Sequence, residues 1–134
     1  MIKRVVAALI FRNKKLLLIY HKKLAMWMFV AGHVEKGETN RKAMRREVKE
    51  EVNLYVNVAK KPFYILKEHN DKNTLHYICK VNKGRVNLKM DEVTNYKWFS
   101  RKGIEKARLH KLVKKISLIG FAKSKIIKNN LFKH

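Results

Sequence analysis

The chain has a single cysteine, only ten acidic residues against 33 basic ones, and no long apolar run. The lone Cys79 excludes an internal disulfide, and a buried free thiol suits a reducing cytoplasm, the expected location. The apolar stretch at residues 5–11 is seven residues long and lacks a small-residue cleavage site. It is far short of the ~20 residues that cross a bilayer, so it reads as a first strand. No low-complexity tract interrupts the chain. At 134 residues and 46% hydrophobic content, a single globular domain is expected rather than disorder.

Because acids are scarce, their placement is informative. Five of the ten fall within residues 32–54, GHVEKGETNRKAMRREVKEEVNL. Glu47, Glu50 and Glu51 stand at i, i+3 and i+4, which puts all three on one face of a helix. Like charges at these spacings destabilise a helix, so the cluster makes sense with a cation on it. Mg²⁺ prefers hard carboxylate oxygens and keeps positions open for phosphate. The plainer alternative is a solvated face paired to Lys42, Arg45 and Lys49. Thr39 can cap a helix over residues 40–52, whose apolar stripe is Ala43, Met44, Val48 and Val52. Gly32 and Gly37 bracket a short loop, and Glu38 can reach Arg46 if that loop folds back.

This stretch resembles the Nudix box, G-x5-E-x7-R-E-U-x-E-E-x-G-U with U a bulky aliphatic. The matching residues are Gly32, Glu38, Arg46, Glu47, Val48, Glu50, Glu51 and Leu54. Asn53 replaces the second glycine, and Asn is the best non-glycine residue for a left-handed backbone. The resemblance implies an α/β/α sandwich with a mixed β-sheet, and Mg²⁺, or Mn²⁺, as cofactor. It implies hydrolysis of a pyrophosphate in a nucleoside diphosphate linked to another moiety. Glu47, Glu50 and Glu51 are then the metal ligands, completed by a main-chain carbonyl of Gly32 or Ala31. Glu47 is alternatively the base that orients water, and Glu38 is expected to hold Arg46. Glu92, ahead of Trp98, stands where several family members place an additional carboxylate that binds metal or acts as base; the plainer reading is a solvated loop acid. Homodimers are common in the family.

Elsewhere the pattern alternates between strand and helix. A hairpin is expected over residues 4–11 and 15–20, and one short strand over 27–30 leading to the Gly32 loop. Further strands are expected over 54–59, 62–68 and 74–81 and near 96–99. Ser100 caps a short helix through Lys106. A last helix over 109–119 stops at Gly120, which closes a domain of residues 1–120 and leaves a basic tail, 121–134. Its Ile126, Ile127, Leu131 and Phe132 stand among lysines and read as a further short helix packed on the same domain, a dimer contact or a frayed end.

Candidate substrate contacts are His33 beside the box, Lys23 after the second strand, and Trp27, whose indole can stack on a base. Each has a plainer reading as surface or core. The formal net charge of +23 draws polyanions and holds nucleic acid loosely at low salt. Lysines far outnumber arginines, which favours loose attraction over a dedicated RNA site. The leading substrate is therefore a small nucleotide, a nucleoside triphosphate or a nucleotide sugar. An RNA 5′-pyrophosphohydrolase is the second reading, and a catalytically idle nucleotide- or RNA-binding module the third.

Overall fold

The structure, a computed structural model, describes residues 3–89, 91–127 and 132. The strand β1 (Lys3–Arg12) is its centre. Its run of Val, Ala, Leu and Ile is buried on both faces, as a continuous apolar strand requires. A two-residue turn, Asn13 and Lys14 at φ 51° and 62°, leads to β2 (Lys15–His21). Two left-handed residues in a row suit a tight hairpin, and Asn tolerates that conformation well.

β2 pairs with β1 only at Phe11–Leu16 and Arg12–Lys15, and then leaves it. It pairs instead with β3 (Met26–Met28) and β8 (Val93–Phe99). The vacated edge of β1 is taken by β4 (Val30–His33), antiparallel, with Val6 opposite Gly32. The single strand expected over 27–30 is thus two strands broken at Phe29, and Gly32 lies in a strand instead of a loop. The other edge of β1 carries β7 (Lys72–Lys83), the parallel neighbour that makes the sheet mixed. β5 (Tyr55–Val58) and β6 (Tyr64–Glu68) pair antiparallel with the two halves of β7.

Helices cover both faces, as the α/β/α sandwich requires. On one side Val6, Ala8 and Ile10 meet Ala43, Met44, Val48 and Val52 of α1 (Asn40–Val52). On the other, Ala7, Leu9 and Phe11 meet Ile104 of α2 (Arg101–Lys106) and Val113, Ile116 and Phe121 of α3 (Lys111–Ile126). Ser100 caps α2, its Oγ accepting from Gly103 N at 3.0 Å. Cys79 is buried in the first of these clusters, and burial pushes its thiol pKa up.

The stop expected at Gly120 does not occur, because α3 runs on to Ile126. Gly120 is needed for close approach instead: a Cβ there meets the side chain of Leu9. Helical signals past it are weak in sequence because the partner lies 111 residues away. Of the tail's four apolar residues, Ile126 ends α3 exposed, Ile127 and Phe132 pack against the second cluster, and Leu131 falls outside the described residues.

Candidate active site

α1 begins where Thr39 Oγ1 accepts from Lys42 N at 3.1 Å. It ends at Asn53, left-handed at φ 62°, whose N–H donates to Lys49 O at 3.1 Å. The last carbonyls of the helix find donors from the segment after β7: Asn87 N reaches Val52 O at 3.0 Å and Lys89 N reaches Glu51 O at 3.2 Å. Both helix ends are therefore capped, which helps to hold the glutamate face in place.

One guanidinium ties the loop, β4 and the helix together. Arg46 Nε and Nη2 donate to both oxygens of Glu38, at 2.7 and 2.9 Å. Nη2 also donates to the carbonyl of His33 at 3.1 Å. Nη1 donates to Glu47 Oε1 at 2.8 Å and to Glu50 Oε2 at 3.3 Å, and lies 3.4 Å from Glu35 Oε1. The fork geometry suits a planar cation with several donors. The Arg46 hydrogen bond, aided by Glu35 N, holds the Glu38 carboxyl down at about 2. Glu38 in turn raises the pKa of Arg46, which stays charged.

Gly32 faces the helix, and the Glu47 carboxylate rests directly on its Cα, in the space a Cβ would fill. Glu51 lies deeper, 7% exposed. Burial first, then a hydrogen bond that its protonated form donates to Glu47, and the charges of Glu47 and Glu50, push its carboxyl up to about 9. Its Oε2 is buried with no hydrogen-bond partner. A buried polar atom without a partner is costly, and a hard cation would supply what the fold does not. Among the described residues, no three His, Cys, Asp or Glu side chains already converge as a cation cage. Arg46 stands between Glu47 and Glu50, so a cation joining Glu51 competes with it for those two carboxylates.

Glu92, in the turn just ahead of β8, lies beside the end of β2, with Oε2 3.4 Å from His21 Nε2 and its carbonyl accepting from Lys22 N at 2.8 Å. Lys23 is exposed in the turn after β2, and the His33 side chain is exposed while its carbonyl contacts Arg46. Trp27 packs edge-on against Tyr20 and Phe99, ring centroids 5.3 and 5.6 Å apart. It belongs to the cluster on the face opposite α1. Sequence reasoning missed Glu35 and the His21–Glu92 pair. Neither carries a local signal, since both depend on where the chain folds back.

The NUDIX domain family model matches residues 1–117. No curated protein matches. Among solved structures, a NUDIX family hydrolase from Clostridium perfringens superposes with a TM-score of 0.81 at 19% identity, covering 92% of this chain and 98% of that one. An ADP-ribose pyrophosphatase from Streptococcus suis gives 0.75 at 21% identity, over 96% of both chains. An Ap4A hydrolase from C. elegans gives 0.69 at 23% identity, over 90% of this chain and 95% of that one. These neighbours share the fold, and the family model covers most of the chain together with the Gly32–Leu54 box. The chain therefore belongs to the Nudix family of pyrophosphohydrolases.

Proposed function

We propose that Glu47, Glu50 and Glu51, with the main-chain carbonyl of Gly32, hold a divalent cation, Mg²⁺ or Mn²⁺, for cleavage of a pyrophosphate bond. Nudix hydrolases generally use divalent metal ions. The observation that carries the reading is the buried Glu51 Oε2, left without a partner beside Glu47. The donor set is all hard oxygen, which fits these ions. When bound, such an ion neutralises anionic phosphate oxygens and activates water.

The chain's own residues supply the positioning. Arg46 clamps Glu38, Glu47 and the His33 carbonyl into one frame, so that the helix and β4 keep their spacing. Glu47, seated on Gly32, is the third ligand or the base that orients water. Glu92, partnered by His21, is a second candidate base. Lys23 and His33 offer exposed donors to substrate phosphates.

The proposed substrate is a small nucleotide, either a nucleoside triphosphate or a nucleotide sugar. A phosphate-release screen over nucleotides and triphosphorylated RNA, with Mg²⁺ and with Mn²⁺, tests this directly. Glu51→Gln is the control, expected to lower turnover by on the order of 10²-fold or more. Near-normal turnover in that variant removes Glu51 from the site. Nucleotide binding without any metal-dependent release identifies an idle binding module.

A further inference from the structure

A second concavity, ≈ 970 Å³, lies at the far end of β1 from the glutamate site. Val6 stands opposite Gly32, and Arg12 is six residues further along, roughly 20 Å away at strand rise. The cleft is lined by Arg12, Lys14, Lys80, Arg101 and Lys125, which come from β1, the hairpin turn, β7, α2 and α3. No acidic side chain is among its described lining residues. Five cations around one hollow repel each other, and the fold offsets only part of that repulsion. Arg101 pairs with Glu105 at 3.3 Å, Arg12 donates to Gly84 O at 2.8 Å and stands over the Trp98 ring at 6.0 Å, and Lys80 stands over the Phe132 ring at 4.8 Å. Lys125 sits in the last turn of α3, where the helix dipole favours a cation. That effect is local to one helix end and does not extend to Lys14 in the hairpin turn.

The floor of the cleft narrows the choice of ligand. Phe11 and Phe121 are buried and packed edge-to-face on each other, centroids 5.1 Å apart. Neither ring is available to stack on a base, so recognition would rest on the cationic rim, with Asn13, Asn82 and Ser124 as further polar lining. We infer that this cleft binds an extended chain of phosphates, either inorganic polyphosphate or a nucleic-acid backbone, at a site separate from the hydrolytic one.

The test uses the full chain in metal-free buffer, so that binding is read without hydrolysis. The probe is a fluorescent oligouridylate lacking a 5′-triphosphate, with short-chain inorganic polyphosphate titrated both directly and as competitor. The double variant Lys14→Glu/Lys125→Glu is compared with Lys61→Glu/Lys67→Glu, which makes the same charge change at exposed positions outside the cleft. Circular dichroism melts establish that both variants fold. The cleft variant is expected to lose affinity by on the order of tenfold or more, with a salt slope shallower by about two. The control is expected to lose much less. Displacement of the oligonucleotide by polyphosphate assigns the site to phosphate chains in general, and failure of displacement assigns it to nucleic acid. Equal losses in the two variants, or no binding of either probe to the wild type at ~0.1 M salt, overturn the inference. Neither outcome depends on Glu51 or on turnover, so this site and the hydrolytic reading stand or fall separately.

Discussion

The carboxylate of Glu47 rests on the Cα of Gly32, across the interface between α1 and β4. A methyl group at residue 32 would take the place of that carboxylate. Gly32→Ala is therefore expected to displace Glu47 and to destabilise the fold by about 1–3 kcal/mol, the usual cost of overpacking. It should also weaken Mg²⁺ binding in isothermal titration. An unchanged melting temperature together with wild-type Mg²⁺ affinity would show that Glu47 has room to move.

Arg46→Lys keeps the charge but loses the fork that grips both Glu38 oxygens. The Glu38 carboxyl should then titrate closer to 4.5 than to about 2. Carbon-13 NMR of labelled glutamate carboxyls follows this residue by residue. Because the depressed pKa belongs to the folded state, the pair stabilises the fold above pH 4.5 and loses that effect as pH falls towards 2. A Glu38 titration identical in the two proteins would sink this account of the clamp.

Asn53 occupies the left-handed position after α1 and accepts from Lys49 Nζ at 2.7 Å. Asn53→Gly trades that bond for freedom from backbone strain, and stability should change by less than about 0.5 kcal/mol. Asn53→Ala has neither advantage and should cost about 1–2 kcal/mol. Urea unfolding of the two variants separates them, and equal midpoints would contradict the cap geometry.

His76 is buried, edge-on to Phe29 and Tyr64, with Nδ1 3.3 Å from Tyr64 O. Desolvation lowers its pKa below 6.5, against the opposing hydrogen bonds to Tyr64 and Thr74. The unfolded chain therefore binds the proton first as pH drops. Its contribution to stability is complete above pH 6.5 and declines below it. His76→Gln should flatten the stability profile between pH 7 and 5, and parallel slopes in wild type and variant would rule His76 out as its source.

The features legible in the sequence are those with a short-range cause. The Thr39 cap, the 40–52 helix, the left-handed Asn53 and the hairpin over residues 4–11 and 15–20 each follow from spacings of a few residues. The Glu38–Arg46 pair, eight residues apart, needed only that the short loop ahead of α1 fold back onto the helix. Periodicity and capping act within one turn of helix or one hairpin, so one segment contains the whole signal.

Tertiary structure decided what distant segments do to each other. β2 leaves β1 after two pairs, which lets β4 dock Gly32 opposite Val6 and under Glu47. Gly120 continues a helix because Leu9 presses on it, and Trp27 packs on the face opposite the glutamates. Strand register is set by burial across the whole sheet, and a glycine reads alike in sequence whether it ends a helix or makes room for a neighbour. The order of residues along the chain determined which side chains the helix carries. Packing decided that Glu51 is buried with an unpartnered oxygen, while Glu47 and Glu50 share Arg46, because only the folded sheet and the 87–89 segment remove water from that side of the helix.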